Sequence, residues 1–159
     1  MDKNGLLGTS AAGLFRGNAP ARIDDKGRLK VPNAFRSAIE TKYGRALFIT
    51  SLTGEYMRIY PMPVWLEIEE KLGATPSTHP ARLRFLDRVN YFGQDAEFDA
   101  QGRVLVPFRL RESASMTGDV DVLGQYNYLD VWNHERFLTK MQREPFTEED
   151  ARTLSEFGI

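Results

Sequence analysis

An aspartate and an arginine four residues apart occur twice in this sequence, each time with a glycine just before the arginine. A three-residue loop that ends in glycine is typical of a tight β-hairpin turn, so each aspartate is predicted to face its arginine across neighbouring strands. A carboxylate that orients a guanidinium can present its fork to phosphate oxygens or to a guanine edge. The first copy contains Asp24 and Arg28, and the second contains Asp99 and Arg103.

A purely structural interpretation stays open beside the binding one. An exposed cross-strand ion pair that only fixes strand register contributes about 0.2 to 1 kcal/mol. The binding interpretation rests on basic neighbours, because strand alternation places them on the same outer face or at the loop tip. The candidate nucleic-acid contacts are Arg22, Asp24, Lys26, Arg28, Lys30, Asp99 and Arg103.

The two motifs belong to a longer internal duplication. Residues 23–32 and 98–107 share one pattern, in which a short strand, a glycine turn and a second strand precede a proline that opens a helix. Residues 56–60 can likewise be laid over residues 128–132. Each copy is too small to enclose a core alone, so the two are expected to pack together. The predicted fold is α+β, mainly β, with two tandem βαββ-type repeats and peripheral helices.

Turn and capping residues divide the chain further. Pro80 is predicted to open a central helix capped by Ser77 or Thr78, with an apolar face of Leu83, Leu86, Val89 and Phe92. Asn133 is expected to cap a later helix, and Thr147 with Asp150 forms a capping-box pattern. The predicted divisions are a disordered extension over 1–13, a first half over 18–65, linker helices over 66–93, a second half over 94–137, and a C-terminal helix with an acidic tail over 138–159.

Composition excludes several classes of protein. The 159 residues include no cysteine, which excludes disulfides and thiolate metal sites. No apolar run approaches the roughly 20 residues of a membrane span, so a soluble cytoplasmic protein is expected. The net charge of −1 is unevenly distributed: residues 16–36 hold six bases and two acids, whereas residues 144–159 hold five acids and one base. A polyanion would therefore meet a basic surface at the first hairpin.

The sequence contains no set of residues that would form a catalytic site. His79 and His134 stand at predicted helix starts, where a surface position is expected. No glycine-rich phosphate loop, nucleophile elbow or metal-spaced cluster occurs. We therefore expect no enzyme, no cofactor, no metal and no small-molecule substrate.

The two hairpins differ in their polar residues. Lys26 and Lys30 of the first copy become Gln101 and Leu105 in the second. We therefore expect the first hairpin to meet an anion and the second to serve structure or assembly. Strand alternation directs Leu105 outward, where a neighbouring subunit would cover it; the alternative is that a bulge turns it into the core.

Several segments resemble the MraZ family of bacterial transcriptional regulators. The resemblance is carried by the doubled Asp-x-x-x-Arg hairpin followed by Val-Pro, and it covers about residues 14 to 143. Three further segments share it: Leu14-Phe15-Arg16-Gly17, Tyr60-Pro61-Met62-Pro63-x-Trp65, and Val122-Leu123-Gly124-Gln125-Tyr126-Asn127.

The resemblance implies a fold and a function. The fold would be a pseudo-twofold barrel of two AbrB-like halves with swapped hairpins, and the chains would assemble into a ring-like homo-oligomer. The function would be repression of the division and cell-wall gene cluster, its own operon included, by binding promoter repeats in double-stranded DNA. Of the two motif arginines, Arg28 is favoured over Arg103 as the DNA contact. The protein would then be associated with the nucleoid, and residues 1–13 would carry no function.

Three rival functions stay open. An AbrB-like antitoxin is disfavoured because it usually has one hairpin half and a partner-binding tail. A hydrolase or transferase using Asp24 or Asp99 lacks a second catalytic group. The third rival is a structural ring that does not bind DNA.

Overall fold

The computed structural model describes residues 14–159, so the expectation for residues 1–13 lies outside the described part. Within residues 14–159 the chain forms eight strands and six helices. The strands are β1 (Asn18–Ile23), β2 (Arg28–Lys30), β3 (Ala46–Thr50), β4 (Met57–Pro61), β5 (Gln94–Glu97), β6 (Arg103–Leu105), β7 (Gly118–Gly124) and β8 (Leu129–Asn133). The helices are α1 (Asn33–Tyr43), α2 (Met62–Gly73), α3 (Pro80–Tyr91), α4 (Phe108–Ser113), α5 (His134–Arg143) and α6 (Glu148–Ser155).

The duplication is visible in the order of these elements. The first repeat runs β1, β2, α1, β3, β4, α2, and the second runs β5, β6, α4, β7, β8, α5. Helix α3 connects the two repeats, and α6 follows the second. The predicted α+β class with two tandem repeats is confirmed.

Strands from the two repeats interleave in one antiparallel sheet of order β5-β3-β4-β8-β7-β1-β2-β6. Four of the strand pairs join different repeats: β1 with β7, β3 with β5, β2 with β6, and β4 with β8. The edge strands β5 and β6 are themselves linked by the second hairpin, where the Asp99 amide donates to the Arg103 carbonyl at 2.9 Å. The sheet is therefore a nearly closed barrel with exchanged hairpins.

An approximate twofold axis passes between β2 and β6. Leu29 pairs with Val104, and these two residues occupy the same position in the two repeats. Both are directed into the core, with 0% and 1% exposure. The apolar faces of both repeats fill one interior, which explains why neither repeat needs a core of its own. The largest fully buried side chains include Phe35, Ile39, Leu47, Ile49, Met57, Ile59, Phe98, Leu110, Met116 and Leu129.

The central helix differs from the prediction at its start and along its face. Its cap is His79, whose ring nitrogen accepts from the Ala81 amide at 3.1 Å, and not Ser77 or Thr78. Pro80 occupies the first helical position, so the capping position falls on the residue directly before it. Val89 and Phe92 are buried as expected, but Leu83 is 48% exposed.

Phe85 takes the place expected for Leu83. It stacks on Trp65 of α2 with ring centroids 6.4 Å apart. The packed face is therefore centred on positions 85 and 89, one helical turn apart, because α3 packs against the aromatic cluster beside α2. The Asn133 cap and the capping box of Thr147 with Asp150 are both confirmed.

A buried ion pair crosses the second approximate twofold contact, between β4 and β8. Arg58 and Asp130 lie opposite each other there and occupy equivalent repeat positions. The guanidinium donates to both carboxylate oxygens, at 2.8 and 3.2 Å, and lies 4.2 Å from the centroid of the Tyr128 ring. Burial raises the pKa of Asp130, while Arg58 acts in the opposite direction. Two identical halves would bring like charges together at this position.

Loss of the Asp130 charge should destabilise the fold strongly. Asp130→Asn leaves a guanidinium that is only 16% exposed without a counter-charge, so we expect the free energy of unfolding to fall by about 3 kcal/mol. The matched control is Asp119→Asn, which breaks the Arg22–Asp119 pair at a site where the carboxylate is 77% exposed and should cost about 1 kcal/mol at most. Urea denaturation measures both, and equal losses would contradict a special role for the buried pair.

Candidate nucleic-acid interface

In the first hairpin, Asp24 binds Arg28 along one edge of its guanidinium group. One carboxylate oxygen of Asp24 accepts from the backbone amides of Lys26 and Arg28, at 3.0 and 2.9 Å. The other accepts from Nε of Arg28 at 2.8 Å. Among the described residues, the two terminal nitrogens of Arg28 have no hydrogen-bond partner. The guanidinium is thus fixed along one edge while its outer fork stays available to a ligand.

The second hairpin repeats this geometry with one addition. Asp99 accepts from the amides of Gln101 and Arg103 at 2.8 and 2.9 Å, and from Nε of Arg103 at 2.9 Å. In addition, Nη2 of Arg103 donates to the Gln101 side chain at 3.0 Å. Arg103 is therefore held more completely than Arg28 and has one fewer free nitrogen. The predicted facing of each aspartate with its arginine is confirmed.

These hydrogen bonds also lower the pKa of both carboxyl groups. For Asp24 the largest cause is the Arg28 amide, and the Arg28 side chain and the Lys26 amide act in the same direction. For Asp99 the corresponding groups are the Arg103 amide and side chain and the Gln101 amide. Both aspartates are ionised throughout the neutral range, so both arginines are held by a charged partner.

Strand register mixes residues of the two hairpins on the outer face. Arg28 lies opposite Leu105, and Lys30 lies opposite Arg103, in the ladder between β2 and β6. All four flank the inward-facing pair Leu29 and Val104, so they share the outer side. The polar residues are therefore arranged in rows that cross from one hairpin to the other.

We name two rows on this face. The basic row runs from Arg22 on β1 through Lys30 to Arg103; the pairing of Ile23 with Leu29 sets Arg22 beside Lys30. Arg22 also donates to Asp119 at 2.9 Å, with both side chains well exposed. The mixed row contains Arg28 and Leu105. On β5 the mixed row ends at Glu97, the repeat equivalent of Arg22. Because Glu97 is negative where Arg22 is positive, the mixed row carries less positive charge than the basic row.

Two arginines that the sequence did not predict as site residues lie against the two hairpin turns. The terminal nitrogen of Arg111 on α4 donates to the Lys26 carbonyl at 2.8 Å, and its guanidinium lies against Gly27. Arg36 on α1 lies in the same way against Gly102, where an added Cβ would be 2.6 Å from its Cδ. Both glycines have φ of 78°, so a left-handed backbone and a close side chain both require glycine. The equivalent repeat positions of Arg36 and Arg111 were the signal that could have revealed them.

Leu105 is directed outward, with 47% exposure, whereas its neighbour Val104 is buried. The alternative in which a bulge turns Leu105 into the core is therefore wrong, because the ladder runs through it without interruption. Lys30, its repeat equivalent, is exposed as well.

The two histidines have local structural roles. His79 caps α3, and Nδ1 of His134 lies 2.7 Å from an Asp121 carboxylate oxygen. Over residues 14–159, no three histidine, cysteine or acidic side chains group as a metal site requires. Over the same range, no helix has the length and apolar character needed to cross a bilayer.

The fold and the outer face together define a class of protein. It is a two-repeat antiparallel barrel with exchanged hairpins, in which each repeat brings one aspartate-braced arginine to a shared face. The profile of the family described as "MraZ protein, putative antitoxin-like" matches residues 14–88 and again residues 93–157. The chain belongs to the MraZ family.

Relatives cover nearly the whole chain, and each carries the name transcriptional regulator MraZ. The protein of Acidobacterium capsulatum is 53% identical over 146 residues, which is 92% of this chain and all of the relative. That of Koribacter versatilis is 48% identical over 147 residues, again 92% of this chain and all of the relative. That of Herpetosiphon aurantiacus is 33% identical over 150 residues with the same coverage. The family is one of regulators and not of enzymes, as the sequence predicted.

The lowered carboxyl pKa values are directly measurable. In an NMR titration of the side-chain carboxyl carbons, we expect Asp24 and Asp99 to titrate below the ordinary value of about 3.9. Because the pKa is lowered in the folded state, the contribution of each motif to stability is present above the ordinary value and is lost as the pH falls through the folded pKa.

Arg28→Ala gives a sharper form of this test. It removes the side-chain bond but keeps the two amide bonds to Asp24, so the pKa of Asp24 should rise only part of the way. Asp99 is the internal control and should not change. An aspartate that titrates at or above the ordinary value would show that the hairpin geometry does not persist in solution.

Proposed function

We propose that this protein is a transcriptional regulator that binds double-stranded DNA through the outer face of β1, β2 and β6. The observation that carries the proposal is the placement of Arg28 and Arg103 on one shared ladder, each braced along its Nε edge by an ionised aspartate. A two-stranded antiparallel ribbon fits the major groove of B-DNA. The names of the relatives support a regulatory role.

The two rows suit different parts of the duplex. The basic row of Arg22, Lys30 and Arg103 groups cations that can contact phosphates without regard to sequence. In the mixed row the fork of Arg28 is free of protein partners, and bidentate contact with a guanine edge requires such a fork. Arg28 is therefore the proposed base-reading residue, and the basic row with Lys26 at the tip supplies the phosphate contacts. Asp24 and Asp99 position the arginines.

Several copies are needed for tight binding, because the net charge of the chain is only −1. Large apolar side chains are exposed on several elements, among them Tyr91 of α3, Phe108 of α4, and Phe157 and Ile159 after α6. Separate exposed apolar patches on a chain of this size suit contacts between subunits, and head-to-tail contact between two different patches closes into a ring when the rotation permits. A ring-like homo-oligomer would raise the effective concentration of each hairpin along the DNA.

The proposed target is the promoter of the protein's own operon, in the division and cell-wall gene cluster, bound at repeated elements and repressed. Association with the nucleoid would follow. The experiment is a fluorescence-anisotropy titration of the promoter duplex upstream of the gene for this chain, with a scrambled duplex of equal length as the reference. Preferential binding of the promoter duplex is expected, and equal binding of both would remove sequence recognition from the proposal.

Two substitutions separate the roles of the rows. Arg28→Ala should reduce the preference for promoter over scrambled DNA, since a good bidentate base contact is worth about 1 to 3 kcal/mol of discrimination. Arg103→Ala should weaken binding to both duplexes alike and lower the slope of log affinity against log salt by about one. Arg84→Ala on the exposed side of α3 is the matched control and should change neither quantity.

The outcomes also distinguish the rivals. If all three variants bind as the unmodified chain does, the proposed face is wrong. An oligomer that binds neither duplex would indicate a structural ring. Recovery of a stoichiometric second protein, with DNA binding only in that complex, would indicate an antitoxin.

A further inference from the structure

Leu105 is an exposed apolar residue in the middle of a charged face. It lies opposite Arg28 in the ladder between β2 and β6 and two positions from Arg103 on its own strand. Almost half of its surface is accessible, at 47%. The repeat equivalent of Leu105 is Lys30, so the sequence has an apolar side chain where the approximate symmetry has a cation.

We infer that Leu105 determines DNA sequence specificity by contacting the C5-methyl group of a thymine beside the base that Arg28 reads. The inference rests on the proposed function and adds a residue and a base to it. It makes Leu105 a reader of sequence, where the sequence alone favoured an assembly role for it.

The chemistry of the groove supports this assignment. A leucine side chain can neither donate to a phosphate oxygen nor pair with a base edge by hydrogen bonds. In the major groove the thymine methyl is the apolar group that protein side chains contact. Leu105 is therefore suited to one feature of the base edges, and Lys30 at the equivalent position is suited to phosphate.

The separation of Arg28 and Leu105 also fits contact with two neighbouring base pairs. Residues directly opposite in an antiparallel ladder have Cα atoms about 4.5 to 5.5 Å apart. Successive base pairs are separated by about 3.4 Å. Arg28 and Leu105 can therefore reach adjacent steps of the duplex when the ribbon lies in the groove.

A second subunit is a less suitable cover for Leu105. A protein surface that buried this leucine would also lie over Arg28 directly opposite and near Arg103. It would then enclose two guanidinium groups and block the face proposed for DNA. Duplex DNA covers the leucine and offers acceptors to both arginines at once.

The test is a double-mutant cycle that combines a substitution in the protein with removal of methyl groups from the DNA. The promoter duplex is prepared once with thymine and once with uracil in place of thymine, which removes every C5-methyl group and keeps the pairing. The unmodified chain should bind the uracil duplex about fourfold more weakly for each methyl group contacted. Leu105→Ala should bind the thymine duplex more weakly by a similar factor and show little difference between the two duplexes.

Lys30→Ala is the matched control, since it changes the equivalent position of the other repeat. It should keep the full difference between thymine and uracil while lowering the slope of log affinity against log salt by about one. Leu105→Lys should do the reverse, losing the difference and raising the slope. Single thymine-to-uracil changes then locate the contacted base.

Each outcome supports or overturns the inference. Equal affinity of the unmodified chain for both duplexes overturns it, and so does an undiminished difference in Leu105→Ala. A shift of Leu105→Lys to smaller species in sedimentation overturns it in favour of the subunit contact. Promoter preference that depends on Arg28 but not on the methyl groups leaves the proposed function intact and removes only the role of Leu105. Absence of any DNA binding removes both.

Discussion

The pairing of β2 with β6 is the contact on which the rest of the molecule depends. Its inner side places Leu29 against Val104 in the centre of the shared core. Its outer side places Arg28 and Arg103 on one surface. The core contact and the proposed binding surface are thus on opposite sides of one three-residue ladder. Any change in register would disrupt both, since a shift by one residue exchanges the two sides of a strand.

On this symmetric frame the two repeats have diverged at equivalent positions. Arg58 is opposite Asp130 inside the protein, and Lys30 is the equivalent of Leu105 on the outer face. The inner difference converts a like-charge contact into an ion pair, and the outer difference makes one row more positive than the other. A duplex bound to this face, as proposed, would therefore contact two unlike halves.

The sequence predicted most of the architecture because the signals were local and doubled. The turn glycines, the helix-opening prolines and the Asp-x-x-x-Arg spacing each follow from backbone geometry within a few residues. The features that the sequence did not predict depend on contacts between residues distant in the chain. Three features arise from such tertiary contacts. They are the register that sets Leu105 opposite Arg28, the hydrogen bond from Arg111 to the first turn, and the packing of Phe85 instead of Leu83 on the buried face of α3.

The ion pair between Arg58 and Asp130 has a consequence for how such a protein can change over time. In a dimer of identical half-length chains, a residue beside the twofold axis faces its own copy, so a charge there is always opposed by the same charge. Joining the halves in one chain removes that restriction, and opposite charges can then occupy the two positions. Once they do, the halves are no longer interchangeable: separated from each other, each would carry an unpaired buried charge into any pairing with itself. A return to two identical half-length chains would therefore also require one of these two charges to change.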